Sequence, residues 1–97
     1  MPIKGVTLKE EVIILSILEP YKAKYAYYYY GSRVKGNYRP LSDLDILVVP
    51  KSKIESGDIE NIKQAFDESA LPYVVNIAYN IDDNFYNMIK NDLVEVF

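Results

Sequence analysis

Between residues 25 and 30 the chain reads Tyr-Ala-Tyr-Tyr-Tyr-Tyr, and the run stops at Gly31-Ser32. An aromatic stretch of this kind has strong strand propensity and no helical stripe, so it predicts a β-strand over residues 25–30. Its side chains alternate between two faces, which sends some of the tyrosine rings into a core and leaves the others on the far side of the sheet. The rest of the chain has to be arranged around this strand.

Upstream, Thr7 followed by Glu10 reads as a capping box, and Leu8, Val12, Leu15 and Leu18 follow at helical spacing until Pro20. A helix over residues 8–19 is predicted. Downstream, Arg33 to Ser42 is polar and rich in Gly, Asn and Pro, a loop with at most one helical turn near its start. Asp43 to Val49 is a buried strand that begins with two acids and is closed by Pro50. Ser56-Gly57-Asp58 opens a second helix over residues 58–69, with Ile59, Ile62, Ala65 and Phe66 along one stripe. In a third strand, Tyr73 to Tyr79, the residues Tyr73, Val75, Ile77 and Tyr79 share one face, which puts Asn76 on the other with Val74 and Ala78. Asp82-Asp83 caps a last helix carrying Phe85, Met88 and Ile89, and Leu93 to Phe97 forms a short terminal strand.

The order α-β-loop-β-α-β-α-β is that of a single α/β (α+β) domain over residues 1–97, a two-layer fold with a mixed sheet of about four strands and helices packed on it. No segment approaches the roughly 20 apolar residues of a membrane span, and Met1 to Leu8 lacks the apolar core of a leader, so a cytoplasmic protein is expected.

Composition narrows the chemistry. The 97 residues contain no His and no Cys. That excludes Cys/His zinc sites, thiolate nucleophiles, imidazole bases and Ser-His-Asp triads. Carboxylate, hydroxyl, amide, Lys and Arg groups remain. The net charge of −3 argues against a general nucleic-acid surface. Both arginines, Arg33 and Arg39, nevertheless fall in one short window with Lys35 between them.

Asp43 and Asp45 are two apart on a strand, so their carboxylates project from one face roughly 7 Å apart, within reach of one divalent ion. Mg²⁺ favours one or two carboxylates with water and substrate phosphates in its remaining positions. Gly31-Ser32 closes the neighbouring strand and opens a turn whose N–H groups and hydroxyl can hold a phosphate. Arg33, Lys35 and Arg39 could neutralise it. Such parts suit phosphoryl or nucleotidyl transfer, in which positioning and charge stabilisation do most of the work. Each part taken alone has an ordinary reading, as turn chemistry or a solvated charged surface.

Together they complete the pattern G-S-x10-D-x-D, from Gly31-Ser32 to Asp43-Leu44-Asp45. The stretch Gly31-Ser32-Arg33-Val34-Lys35-Gly36-Asn37-Tyr38-Arg39-Pro40-Leu41-Ser42-Asp43-Leu44-Asp45 strongly resembles the signature of the minimal nucleotidyltransferases of the DNA polymerase beta superfamily. The flanking elements and the Leu71-Pro72-Tyr73 strand entry extend the likeness over nearly the whole chain. The resemblance implies that Gly31 and Ser32 contact a nucleoside triphosphate, with Arg33, Lys35, Arg39 and Ser42 as further nucleotide-binding positions. It also implies that Asp43 and Asp45 are metal ligands and catalytic residues for Mg²⁺. A third catalytic carboxylate is usual at the position held here by Asn76, which can offer a metal one oxygen but cannot take up a proton at ordinary pH.

The function implied is Mg²⁺-dependent transfer of a nucleoside monophosphate, AMP from ATP, onto a hydroxyl of a partner protein. The expected partner is a HEPN-domain ribonuclease toxin to which the chain is antitoxin, with no direct nucleic-acid or membrane partner. The alternative is an antitoxin that binds nucleotide and neutralises by binding, its chemistry lost through Asn76. A third reading is a homo-oligomer assembled through the tyrosine strand.

Overall fold

A computed structural model describes residues 3, 5–37, 39 and 41–97. Tyr38 and Pro40 of the motif, and Met1, Pro2 and Lys4 of the N-terminal stretch, lie outside the described residues.

Thr7 caps the first helix, α1 (Leu8–Leu18), as a complete capping box: its hydroxyl accepts the Glu10 N–H, and the Glu10 carboxylate accepts the Thr7 N–H. A 3₁₀ turn, Glu19–Tyr21, follows with Pro20 in its first turn. The aromatic run forms strand β1 (Tyr25–Tyr30), with the bounds its composition predicts. One helical turn, α2 (Ser32–Lys35), is closed by Gly36 in the left-handed conformation. Then come β2 (Leu44–Pro50), α3 (Asp58–Asp67), β3 (Val75–Ala78), α4 (Asp83–Ile89), a second 3₁₀ turn and β4 (Val94–Glu95).

The sheet order is β3-β2-β1-β4. β1 runs antiparallel to both β2 and β4, whereas β2 and β3 are parallel. This is the expected mixed sheet of four strands, and one of its two antiparallel pairs lies where the irregular loop joins β1 to β2. Tyr25, Tyr27 and Tyr29 of β1 and Leu44, Ile46 and Val48 of β2 face a common core with Ile14 and Leu18 of α1 and Ile59, Ile62 and Phe66 of α3. The N-terminal residues Ile3 and Val6 are buried in the same cluster.

Two expectations about helix faces change. Leu8 and Val12, read as part of the inward stripe of α1, are 75% and 65% exposed. The helix is apolar nearly all round, so spacing could not single out one face, and the sheet selects Ile14 and Leu18. Met88 of α4 is likewise exposed, while Ile89 is buried. The second helix, ending at Asp67, and the third strand, beginning at Val75, are shorter than predicted.

Candidate functional site

Strand register builds the site. Tyr30 of β1 pairs with Asp45 of β2, and Asp45 pairs with Asn76 of β3. Directly paired residues project from the same face, so these three side chains form a row across three strands, on the side of the sheet away from the core. Asp43 sits just before β2, and the Leu44 N–H bonds to the Val74 carbonyl at 2.9 Å, tying that strand start to the approach of β3.

The two carboxylates meet at one point. Asn76 donates through Nδ2 to Asp43 Oδ2 at 2.9 Å and to Asp45 Oδ1 at 3.1 Å. Besides Val74 and Ala78 of its own segment, Asn76 thus meets two acids from the adjoining one, and its amide stands where a shared cation would be attractive to both. Asp45 is half-buried, and burial pushes its carboxyl above the ordinary value; the Asn76 hydrogen bond opposes this and the neighbouring Asp43 charge adds to it. A positive charge placed between Asp43 and Asp45 would relieve both the burial cost and the repulsion.

Gly31 fits this point as only glycine can. Its backbone has φ +85° and ψ −157°, and a Cβ built there falls on Asp45 Oδ2, with Asp45 Cγ 3.2 Å away. The turn after β1 thus lies directly against the second carboxylate. Val34 and Lys35 both donate to the Gly31 carbonyl at 3.1 Å, so the Ser32 and Arg33 N–H groups precede the first hydrogen bond of α2.

The predicted basic positions diverge. Arg39 is exposed on the loop, where its N–H donates to Ser42 Oγ at 2.7 Å and its carbonyl accepts the Ser42 N–H at 2.9 Å. Ser42 accordingly closes that turn with its hydroxyl as well as its backbone. Lys35 is exposed and pairs with Asp92 Oδ2 at 3.6 Å. Arg33 is turned inward: it is 1% exposed, donating to backbone carbonyls and lying over the Tyr73 ring. The guanidinium is thus enclosed by the fold, whereas Lys35 and Arg39 are exposed.

Sequence reasoning passed over Tyr30 and Phe85. The Tyr30 ring meets Phe85 of α4 edge-on at 5.9 Å, forming an aromatic wall beside Asp45. Its phenol is raised by burial and then by the Asp45 charge. Immediate precedence to Gly31 was the available signal, since the antiparallel register then sets Tyr30 opposite the second acid.

The donor set fits a hard divalent cation. Two convergent carboxylates and an amide that can turn its oxygen inward are oxygen ligands of the kind Mg²⁺ takes, with water and phosphate completing the shell. Among the described residues no group of three Asp, Glu, His or Cys side chains is placed to hold a metal ion, in keeping with Asn at the third place.

The sequence matches the family described as Polymerase beta, Nucleotidyltransferase over residues 13–95, a span that contains every element of the sheet and both acids. It is also 33% identical over 69 residues to the "Probable protein adenylyltransferase MntA" of Haemophilus influenzae, covering 71% of this chain and 60% of that relative. The chain thus spans about three-fifths of the relative's length. With the G-S-x10-D-x-D turn set against paired carboxylates on a mixed four-stranded sheet, this chain belongs to the polymerase beta nucleotidyltransferase superfamily, among its minimal members.

Proposed function

We propose that the chain is a Mg²⁺-dependent nucleotidyltransferase that moves a nucleoside monophosphate, AMP from ATP, onto a hydroxyl of a partner protein. The observation that carries this reading is the convergence of Asp43 and Asp45 on one amide directly beside the Gly31 turn. Asp43 and Asp45 would hold Mg²⁺, which supplies charge neutralisation to the triphosphate. The Gly31-Ser32 turn would receive phosphate oxygens, with Arg39 exposed on the following loop and Lys35, paired with Asp92, exposed at the end of α2. In the reaction the acceptor hydroxyl oxygen bonds to the α-phosphorus, the bond from that phosphorus to the oxygen bridging the β-phosphate breaks, pyrophosphate leaves, and the hydroxyl proton passes to solvent. A relative described as a protein adenylyltransferase supports AMP as the group and a protein as the acceptor. The partner we propose is a HEPN-domain ribonuclease, with this chain as its antitoxin.

One observation favours a second reading. Asn76 occupies the third position of the site as a hydrogen-bond donor to both acids, and it cannot accept the proton that leaves the attacking hydroxyl. A chain that binds nucleotide and neutralises its partner by occupancy is the result if turnover is lost. Labelled ATP, Mg²⁺ and the partner separate the two. Transfer of label by the parent, rising by about 10²-fold or more in Asn76→Asp, is the outcome for a transferase, since general-base catalysis contributes on that order. No label on the partner from either protein would overturn the transferase reading.

A further inference from the structure

Arg33 lies two residues beyond Gly31 in the motif, yet its side chain is enclosed. A buried guanidinium is expensive unless its charge and donors are met, and its partners here are specific. Nε and Nη2 both donate to the Ser42 carbonyl, at 3.2 and 2.9 Å, closing a two-pronged fork on one oxygen. Nη1 donates to the Gly5 carbonyl at 3.1 Å. The Tyr73 ring lies 4.1 Å from the guanidinium carbon, a stacking distance for Arg on an aromatic face. Tyr73 is itself anchored, donating its hydroxyl to Glu10 Oε1 at 3.1 Å, and Glu10 is the capping-box acid of α1.

These partners belong to different segments, and two of those segments, together with Arg33's own, carry the site. Arg33 rises from the Gly31-Ser32 turn. Ser42 is joined by one peptide bond to Asp43. Tyr73 stands three residues before Asn76, on the approach to β3. A carbonyl gripped by a fork of two N–H groups is fixed in direction as well as distance, so the Ser42–Asp43 peptide cannot swing without breaking both bonds.

We infer that Arg33 is a positioning residue that sets Asp43 relative to the Gly31-Ser32 turn by clamping the Ser42 carbonyl, and that it acts on the nucleotide only through them. This rests on the metal-and-nucleotide reading of Asp43 and Asp45 given above. Lysine cannot replace it, because one ammonium on a flexible stem offers neither the fork nor the plane that stacks on Tyr73.

The test uses the full chain and Arg33→Lys, well below the melting temperature of each, with amide hydrogen exchange and Mn²⁺ binding followed by electron paramagnetic resonance in the absence of nucleotide. Arg33→Lys should keep the protection of α3, exchange faster over residues 36–43, and bind Mn²⁺ about tenfold more weakly, as removal of a ligand-orienting partner typically does. Unchanged Mn²⁺ affinity in Arg33→Lys overturns the proposal. If only ATP affinity then falls, Arg33 is a phosphate contact; if only the melting temperature falls, it is a structural brace. Should Arg33→Lys fail to fold, Tyr73→Leu decides, since loss of the stacking plate must also weaken Mn²⁺ binding and an unchanged affinity overturns the clamp. A parent that binds no Mn²⁺ overturns the reading of the acids, and this role with it, whereas parent binding that Arg33→Lys preserves overturns this role alone.

Discussion

Gly31 has the least freedom of substitution in the site, since both its backbone and its surroundings exclude a side chain. Its φ of +85° is strained for any L residue, and the missing Cβ makes room for the Asp45 carboxylate. Gly31→Ala should cost about 1–3 kcal/mol from the backbone alone, lowering the melting temperature by several degrees in a domain of this size. The displaced Asp45 should also lose Mn²⁺ affinity, so a calorimetric melt and a Mn²⁺ titration check the two effects separately. The tyrosines that face the core differ among themselves in the same decisive way. The Tyr25 hydroxyl donates to Asp58 Oδ2 at 2.7 Å and accepts the Glu55 N–H at 2.9 Å. The Tyr27 and Tyr29 hydroxyls are buried with no hydrogen-bond partner among the described residues, and burial pushes the Tyr29 phenol up to about 12. Tyr29→Phe should therefore be neutral or stabilising by up to about 1 kcal/mol, whereas Tyr25→Phe should destabilise by about 1–3 kcal/mol because it leaves Asp58 and the Glu55 N–H short of a partner. Denaturant melts of the two variants should move in opposite directions or differ by that margin.

At the scale of elements, the start of α3 is stapled to the start of β1. Lys24 Nζ lies 2.8 Å from Asp58 Oδ2 and 3.2 Å from Glu55 Oε1, beside the Tyr25 hydroxyl. The Lys24 hydrogen bond, and then that of Tyr25, hold the Asp58 carboxyl below the ordinary carboxylate value. A depressed carboxyl contributes stability that is present above its unfolded value near 4 and is lost as pH falls through the folded value. The melting temperature of the parent should thus fall more steeply below about pH 4 than that of Asp58→Asn, a comparison that thermal melts across pH make directly. This staple was not visible in the sequence, because it joins residues more than thirty positions apart whose charges look like solvated ones. Local signals did survive into the structure: the Thr7–Glu10 capping box, the bounds of β1 and the same-face placement of Asp43 and Asp45 depend on near neighbours alone. The inward turn of Arg33 does not, since its enclosure comes from Gly5 and Tyr73, residues that only the packed fold brings together. The inner face of α1 was equally hidden by an excess of apolar residues, so that the sheet rather than the periodicity decides it.

Across the whole molecule, one sheet serves two purposes. Its inner face packs Tyr25, Tyr27, Tyr29, Leu44, Ile46 and Val48 against α1 and α3, and its other face carries the row Tyr30, Asp45 and Asn76. A single-residue slip of β1 against β2 would break this row and part Tyr30 and Gly31 from Asp45, so core packing and site geometry are fixed by the same register. Family membership follows from that arrangement and from the match over residues 13–95. The proposal built on it is a metal-dependent nucleotide site formed by Gly31, Ser32, Asp43 and Asp45. Isothermal titration of ATP into the parent and into Asp43→Asn/Asp45→Asn, each with Mg²⁺ and with chelator, tests it most directly. Saturable ATP binding by the parent that requires Mg²⁺ and is lost in the double variant is the predicted result; Mg²⁺-independent binding, or equal binding by the double variant, would contradict it.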